Sequence, residues 1–196
     1  IAGRTNLEML QEMVEGAAIV LAVGSCAAFG GVAAAWPNPT GATGVSELME
    51  NGLILKRPLI NLPGCPPLPI AISGVLAYII AFGRFPALDN LRRPKSIYGD
   101  TVHDHCSRLH FYRKRRFAQR FDDYGARKGW CLFKLGCKGP ITHNACAVYK
   151  WNEGTSFPVE SGHPCLGCSE PGFWDKGSFY RHLKRRRRYR FRDVQR

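Results

Sequence analysis

The sequence lacks a hydrophobic segment long enough to span a membrane. Positions 68–83 carry no charged residue, but these sixteen residues fall short of the roughly 20 that a spanning helix needs. Prolines precede the run, and we therefore predict a buried helix there and no membrane span. The first residues form no signal peptide either, so no export signal is predicted within this chain. Because the chain opens on Ile1, we expect that an upstream segment is missing or was removed.

Acidic residues are also scarce. Fifteen Asp and Glu stand against 28 Lys and Arg, which gives a formal net charge of +13. Residues 181–196 alone hold nine Lys or Arg and one Asp. A basic run at a chain end is typical of a disordered tail, and we predict such a tail here and no nucleic-acid binding. A second basic cluster, Arg113–Arg116, is predicted to be a surface loop or a docking patch for an acidic partner.

Cysteine is rare in the first half of the chain and frequent in the second. Six of the eight cysteines lie between His103 and Cys168, among glycine and proline turns. Thiolates gathered by short loops suit zinc, copper(I) or an iron–sulfur cluster. Two alternatives stay open at this point. One is four disulfides, which suit small secreted domains with little core, and the other is a thiolate–zinc interaction module whose basic tail binds nucleic acid.

The first half has the pattern of an α/β domain with a parallel sheet. Thr5–Glu8 forms a capping box, which is typical of a helix start. Two continuous apolar runs have strand length and indicate strands buried on both faces. The predicted elements are a helix ending near Glu15, strands at 17–23 and 58–62, a helix at 45–50 and an apolar helix that follows the proline-rich entry at 66–69 and ends near Phe82. The polar, loop-like composition of 86–94 marks the end of this domain.

Each predicted strand ends in a small-residue turn that presents one cysteine, Cys26 after the first strand and Cys65 after the second. Ligands of open α/β sheets bind at the carboxyl ends of the strands. Cys26 and Cys65 are therefore candidates for one shared site. The alternative is a pair of buried free cysteines, but Gly64 and the prolines at 66–67 stiffen the turn beyond what a core cysteine needs.

Regular periodicity is scarce beyond position 93. Only the segment 111–124 has a helical pattern, so we expect metal binding to order the rest. Spacing divides the candidate ligands into one group of His103, Cys106, Cys131 and Cys137 and a second group of Cys146, Cys165 and Cys168. His103 stands out because it lies three residues before a cysteine. The histidines predicted to be structural or solvated are His105, His110, His143 and His163.

Several motifs, taken in order, resemble the small subunit of the nickel–iron hydrogenases. They are Ala-Val-Gly-Ser-Cys-Ala at 22–27, Pro-Gly-Cys-Pro-Pro at 63–67, Thr-Val-His-Asp-His-Cys at 101–106, the segments 125–131, 136–140 and 149–151, Gly-His-Pro-Cys-Leu-Gly-Cys-Ser-Glu at 162–170 and Phe-Trp-Asp at 173–175. The similarity extends from Thr5 to about Tyr180. Motifs of this length and order are far more specific than a single C-x-x-C.

The resemblance implies a fold and a role. The implied fold is an incomplete α/β flavodoxin-like domain over 1–92, followed over 93–180 by a mostly irregular, iron–sulfur-cluster-binding domain with short helices. In that family the small subunit relays electrons from hydrogen oxidation at a nickel–iron centre in the large subunit. The implied partners are this large subunit and a cytochrome that accepts the electrons. The implied location is the periplasm or the periplasmic face of the membrane.

The resemblance also assigns cofactor ligands by matched position. Cys26 and Cys65 would give two ligands to a proximal [4Fe–4S] cluster. A distal [4Fe–4S] cluster would be held by His103, Cys106, Cys131 and Cys137, and a medial [3Fe–4S] cluster by Cys146, Cys165 and Cys168. Pro158 matches the family proline that stands beside the medial cluster, where a fourth cysteine would be.

The chain also departs from the family pattern. The family supplies the other two proximal ligands from a motif near its N-terminus, so we expect the proximal site and the sheet to be incomplete in this chain. Oxygen-tolerant members carry a further cysteine where this chain has Gly31, which indicates the standard, oxygen-sensitive type. The family usually has an acidic, small-residue stretch where this chain has Arg113–Arg116, and residues 183–196 match no family tail.

Overall fold

The computed structural model describes residues 3–175 and 179–183. Its helices and strands are α1 (Asn6–Glu15), β1 (Val20–Val23), α2 (Ser25–Phe29), α3 (Val45–Glu50), β2 (Leu59–Leu62), α4 (Pro69–Phe82), α5 (Lys95–Tyr98), α6 (Leu109–Arg113), α7 (Tyr124–Arg127) and α8 (Cys146–Tyr149). Short 3₁₀ helices cover Gly31–Ala34, Leu132–Leu135 and Gly139–Ile141. The prediction of a disordered basic tail concerns mainly positions 184–196, which lie outside the described residues.

The two strands pair in parallel, with Val20 opposite Leu59 and Val23 opposite Leu62. Both predicted strands are therefore confirmed. All of β2 is buried, as expected, but in β1 only Ala22 is, so the prediction of burial on both faces is wrong for β1. The reason is that β2 is the one strand paired with β1 in the part of the chain that the structure describes, which leaves the other edge of β1 open.

Helices cover both faces of this small sheet. Leu59 and Ile60 point to opposite faces of β2, as successive strand residues do, and they belong to different apolar clusters. Leu59 packs with buried residues of α1 and α3, whereas Ile60 packs with Val75 of α4 and with Tyr98 of α5. The first half is therefore the three-layer α/β arrangement that the sequence pattern indicates.

The capping box that predicts α1 is present. The Thr5 hydroxyl accepts a hydrogen bond from the Glu8 N–H at 3.1 Å, and a Glu8 carboxylate oxygen accepts one from the Thr5 N–H at 2.8 Å. α3 begins differently, after Gly44 and with no side-chain cap. The Ser46 hydroxyl, near the start of this helix, donates to Glu50 at 3.1 Å.

α4 forms where a helix is predicted, but it is not the buried helix that its apolar sequence indicates. Only Ala71 and Val75 are buried, whereas Ile80 is 83% and Phe82 is 62% exposed. One face of α4 packs on β2, and the opposite face has no cover among the described residues. An apolar sequence shows that a helix can be buried, but it does not show which chain covers it. No described helix combines the length and apolarity needed to cross a bilayer.

The second half folds around its own apolar core. Val102, Leu132, Phe157 and Val159 are buried there. The same cluster includes four candidate ligands, namely Cys106, Cys137, Cys146 and Cys165. The core of this half is therefore partly built from the cysteine side chains themselves.

The helix predicted over 111–124 is wrong. α6 stops at Arg113, a turn follows with Arg115 at a φ of +55°, and α7 starts only at Tyr124. The chain turns because the Arg116 N–H bonds back to the Phe111 carbonyl at 2.9 Å, while the Arg116 carbonyl accepts the Cys131 N–H at 3.2 Å. A pairing with a distant segment overrides the local helical pattern.

A buried arginine joins the two halves of the chain. Arg93 is 3% exposed and its guanidinium donates to Asp89 at 2.8 Å, to the Ser169 carbonyl at 3.1 Å and to Glu170 at 3.1 Å. The same Glu170 oxygen accepts the His143 N–H at 2.6 Å. Arg93 therefore ties the loop after α4 to the segment that follows Cys168. The domain boundary between residues 92 and 93 stays a prediction.

Replacing Arg93 with Met should lower the free energy of unfolding by about 3 kcal/mol, because it leaves the partly buried Asp89 and Glu170 carboxylates without their cation. Urea unfolding followed by fluorescence measures the loss. The matched control is Arg92→Met, since Arg92 meets Glu50 at 3.6 Å on the surface and its loss should cost at most about 1 kcal/mol. Equal losses for the two variants would contradict a structural role of the Arg93 network.

Candidate iron–sulfur sites

The loops that carry Cys26 and Cys65 lie side by side at the carboxyl end of the sheet. The Ser25 N–H donates to the Gly64 carbonyl at 2.9 Å, which ties one loop to the other. Both cysteines are exposed. The predicted meeting of these loops is confirmed, while ligation of one metal centre by the two thiols stays a prediction.

Gly31 lies against Cys26. Its φ is +59°, and a Cβ at this position would lie 2.5 Å from the Cys26 sulfur. That distance is far shorter than a van der Waals contact, so any side chain at position 31 would displace the Cys26 thiol. The oxygen sensitivity inferred from Gly31 stays a prediction.

The structure brings together the four members of the first ligand group. His103 and Cys106 share a turn, in which the Cys106 N–H donates to the His103 carbonyl at 3.2 Å. A Cβ on Gly139 would lie 3.5 Å from the Cys137 sulfur and 3.9 Å from the His103 Cβ, so this glycine separates the two side chains. Burial raises the pKa of Cys106 and raises that of Cys131 to about 12, and the nearby Cys137 adds to both shifts.

The surroundings of the His103 ring favour its neutral form. Burial lowers its pKa, the neighbouring Asp104 opposes this shift, and the charge of Arg113 reinforces it. The ring meets Tyr112 edge-on, with the two centroids 4.6 Å apart. A neutral imidazole nitrogen is the species that ligates metals, so the position suits a ligand.

The second group is also brought together. Cys146 begins α8, and burial, with a further contribution from the nearby Cys168, raises its pKa to about 12. Burial raises the pKa of Cys165 as well, and both Cys137 and Cys168 lie near enough to add to that shift. The three thiols grouped by spacing are therefore neighbours in the fold.

The candidate sites adjoin one another through the backbone. The Cys165 N–H donates to the Cys137 sulfur at 3.4 Å, which links the second group to the first. Cys65 lies near enough to the Cys168 thiol to affect its pKa, and the Ser25 hydroxyl bonds to the Cys168 carbonyl and to the Gly64 N–H, which places the second group beside the loop at the end of β2. The thiols thus form a continuous series through the molecule, in the order Cys65, Cys168, Cys165 and Cys137.

Pro158 lies between Phe157 and Val159, which are both buried, but Pro158 itself is exposed. Its carbonyl accepts the His163 N–H at 2.8 Å, so it closes the turn that leads to Cys165. That Pro158 lies beside the medial cluster stays a prediction.

Sequence reasoning missed Ser25, which connects two of the candidate sites. Ser25 is 2% exposed. Its hydroxyl donates to the Cys168 carbonyl and accepts the Gly64 N–H, the latter at 2.9 Å. The only indication of this role in the sequence is the position of Ser25 before a candidate ligand, in Gly-Ser-Cys. A small hydroxyl side chain in such a turn can form hydrogen bonds to nearby backbone groups.

Sequence reasoning also missed Arg108. Its guanidinium donates to the Val159 carbonyl at 2.8 Å and to the Trp130 carbonyl at 2.7 Å, and its backbone N–H donates to the Cys106 sulfur at 3.4 Å. It therefore fixes three loops around the first group. No sequence pattern reveals this role, because the acceptors are carbonyls of distant residues.

The donor set fits iron–sulfur chemistry. The Cys106 sulfur accepts the Arg108 N–H at 3.4 Å, and the Cys137 sulfur accepts the Cys165 N–H at 3.4 Å. N–H groups near Cys131, Cys146 and Cys165 lower the pKa of these thiols against the larger effect of burial. Such hydrogen bonds stabilise cluster thiolates and set cluster potentials. Burial nevertheless raises the pKa of these thiols, so a positive metal core is needed to favour the thiolate form.

Neither alternative reading of the cysteines gains support. All eight cysteines are free thiols, which gives no disulfide framework. Over residues 3–175 and 179–183, no three His, Cys, Asp or Glu side chains converge to hold a single metal ion. A mononuclear zinc site, with zinc–sulfur bonds of about 2.3 Å, requires such convergence, whereas a larger cluster holds its thiolates further apart.

Two family models match the chain. Residues 98–181 match the model for the C-terminal part of the NiFe/NiFeSe hydrogenase small subunit. Residues 2–79 match the model for NADH ubiquinone oxidoreductase, 20 Kd subunit. The gap between the two matches contains the loop after α4, where the sequence composition changes.

Curated relatives match most of this chain. It is 48% identical over 183 residues to an uptake hydrogenase small subunit of Azotobacter vinelandii, which is 93% of this chain and 50% of that protein. It is also 48% identical over 179 residues to the Hydrogenase-1 small chain of Escherichia coli (strain K12), which is 91% of this chain and 47% of that protein. The chain thus spans about half the length of the curated relatives it matches.

Solved structures agree with the sequence relatives. The [NiFeSe]-hydrogenase of Dm. baculatum matches with a TM-score of 0.82 at 34% identity, over 91% of this chain and 64% of that chain. The actinobacterial-type NiFe-hydrogenase from Ralstonia eutropha H16 matches with a TM-score of 0.81 at 32% identity, over 91% of this chain and 52% of that chain. Sequence and fold therefore point to the same family.

In the metal-free chain, Cys26 and Cys65 should react with iodoacetamide much faster than the other six cysteines, because they are exposed. A pKa of about 12 in place of 9.0 makes the reactive thiolates of Cys131 and Cys146 about a thousandfold scarcer at neutral pH. Labelling for matched times, followed by peptide mass spectrometry, measures the rates. In guanidinium chloride all eight should react alike, and equal rates in the folded chain would contradict the burial of the two ligand groups.

Proposed function

The chain belongs to the family of nickel–iron hydrogenase small subunits, and on this premise we propose that it relays electrons from hydrogen oxidation in a large subunit to an external acceptor. The relatives named above are small subunits of hydrogenases. The observation that carries the proposal is the continuous series of candidate ligands from Cys65 to Cys137. An electron relay needs redox centres in succession, and this series offers three adjoining sites.

The proposed cofactors are iron–sulfur clusters, which supply one-electron redox chemistry when bound. Cys26 and Cys65 give two thiolates to a proximal [4Fe–4S] cluster. The second group, of Cys146, Cys165 and Cys168, holds a medial [3Fe–4S] cluster with Pro158 beside it. The first group, of His103, Cys106, Cys131 and Cys137, holds a distal [4Fe–4S] cluster. The hydrogen bonds described above join the loops that carry these residues, which supports adjoining sites.

The proposed partner at the proximal end is a large subunit that holds the nickel–iron centre. Its docking face contains Cys26 and Cys65, the two cysteines that are exposed. Large apolar side chains close to Cys26 in the chain support this placement, since Val32 is 52% and Trp36 is 85% exposed. Exposed apolar surface of this kind is typical of an interface with another protein.

Further features follow from the same premise. The first half is part of a flavodoxin-like domain, which agrees with a parallel sheet covered by helices on both faces. The acceptor is a cytochrome, and the location is the periplasm or the periplasmic face of the membrane. Both of these come from the family resemblance alone.

Anaerobic reconstitution of the chain should yield about seven iron atoms per chain, from one [4Fe–4S] and one [3Fe–4S] cluster. The oxidised sample should show the paramagnetic resonance signal of a [3Fe–4S] cluster. Pro158→Cys should raise the iron content to about eight and remove that signal, because a fourth thiolate can hold a fourth iron. Iron and acid-labile sulfide analysis, with the resonance spectrum, measures both changes.

The matched control for this experiment is Thr155→Cys, which adds an exposed thiol on the same loop. Its iron content and its signal should equal those of the unchanged chain. A [3Fe–4S] signal that survives in Pro158→Cys would show that Pro158 is not beside the medial cluster. Bound zinc without sulfide would overturn the relay itself.

His103→Ala, in the chain assembled with its large subunit, should slow hydrogen-driven reduction of an added acceptor by about tenfold or more, because even changes beyond the ligand shell cost metal sites 10–100-fold. Hydrogen–deuterium exchange at the nickel–iron centre should persist, since it needs no electron exit. The control is His105→Ala, on the same turn but exposed and paired with Asp100 at 2.9 Å. If both activities fall together in His103→Ala, the residue is not at the exit of the relay.

A further inference from the structure

A compact basic turn lies beside the His103 ring. It comprises Arg113–Arg116, defined here as the basic turn, and all four side chains are exposed. Arg113 ends α6 and lies near enough to His103 for its charge to lower the pKa of that ring, after the larger effect of burial. The cluster of cations that the sequence singled out therefore lies at one candidate site and not at a remote surface.

The backbone of the basic turn is fixed by hydrogen bonds. The Lys114 N–H donates to the His110 carbonyl at 3.2 Å, and the Arg115 N–H donates to the Tyr112 carbonyl at 3.0 Å. Arg116 then pairs with Cys131 through the 3.2 Å bond described above. Because the turn is bonded to a candidate ligand on one side and to α6 on the other, the backbone that carries its four charges is held in a defined place.

An aromatic cluster joins the basic turn to His103. The Tyr112 ring centroid lies 4.6 Å from that of His103, 5.8 Å from that of Phe117 and 5.4 Å from that of Phe133. Tyr112 and Phe117 flank the basic turn in the chain. The turn therefore lies directly over the side chains that pack against the proposed distal ligand.

The charges of the basic turn are available to a partner. None of the four forms an ion pair with a carboxylate of the described residues. The acidic residues nearby are engaged elsewhere, since Asp104 accepts bonds from Thr101 and Asp122 lies 3.8 Å from Arg120. The Arg116 guanidinium lies over the Trp130 ring, 5.9 Å from its centroid, and keeps its charge. Four cations without a carboxylate partner among the described residues create a local positive field that attracts an acidic molecule.

We infer that the basic turn is the docking site for an electron-carrier protein with an acidic face, which approaches the relay at His103. This inference rests on the proposed relay and adds the charge of its partner. Electrostatic complementarity of this kind raises the rate of encounter and orients the two proteins. A nucleic acid would also be attracted by the positive charge. The basic turn, however, lies beside the aromatic cluster at His103, and this position favours a partner that exchanges electrons there.

The test uses two c-type cytochromes of similar size, one with an acidic and one with a basic surface, and titrates each against the reconstituted chain. The acidic cytochrome should bind, and Lys114→Glu with Arg115→Glu should weaken its binding about tenfold or more at low ionic strength. Arg113 is kept, because its charge acts on His103. The matched control is Arg84→Glu with Lys95→Glu, two exposed cations outside the basic turn, which changes the net charge equally and should alter binding less than about threefold.

Salt dependence completes the test. The difference between the two double variants should shrink as ionic strength rises towards about 1 M, where the Debye length falls to about 3 Å. Tighter binding of the basic cytochrome, or equal losses in the two double variants, overturns the inference. The inference is also overturned if the acidic cytochrome does not bind, while a 20-nucleotide single strand does bind and loses its binding when the basic turn is changed. Binding is measured without turnover. If the chain assembles iron and sulfide but fails this test, the proposed relay stands and only the docking role of the basic turn is rejected.

Discussion

Burial of the cysteine sulfurs is the constraint on which the second half of the structure depends. A thiolate without a compensating positive charge is costly in an apolar interior, and burial accordingly raises the pKa of Cys131 and Cys146 to about 12. Yet Cys106, Cys137, Cys146 and Cys165 belong to the core of this half, and the sulfurs of Cys106 and Cys137 accept N–H bonds from neighbouring loops. Metal binding and folding are therefore linked in this region, because one set of side chains serves as core and as ligand.

The first half follows from local sequence to a large extent. A capping box, two strand-length apolar runs and a proline-led helix predict α1, β1, β2 and α4, and all four are present. What the sequence could not show is which faces are covered. Ile80 is as apolar as any core residue and is 83% exposed, because hydrophobicity measures the gain on burial and contains no information about the partner surface.

In the second half, local sequence predicts the ligand residues better than it predicts the backbone. The candidate ligands could be named from the sequence, because spacing on short loops limits which thiols can meet. Their division into two groups stays a prediction, since the Cys165 N–H of one group bonds to the Cys137 sulfur of the other. The backbone of the second half could not be predicted from the sequence, since the turn after α6 depends on the pairing of Arg116 with Cys131, a residue distant in the chain. The roles of Ser25, Arg93 and Arg108 were equally hidden. Each is a polar residue whose importance lies in the distant carbonyls and carboxylates that it meets, and no periodicity encodes those contacts.

The loops that carry the candidate ligands contact one another in the same order as the cysteines, from Cys65 through Cys168 and Cys165 to Cys137. The Cys165 N–H bonds to the Cys137 sulfur. The Ser25 hydroxyl bonds to the Cys168 carbonyl and to the Gly64 N–H, and Cys65 lies near enough to the Cys168 thiol to affect its pKa. In each case the backbone or the neighbour of one candidate ligand supports the next site. Hydrogen bonds to sulfur tune the potential of a bound cluster, so a shift of one loop alters the environment of the adjoining site. The series therefore behaves as one connected unit, in which no site is positioned independently of its neighbour.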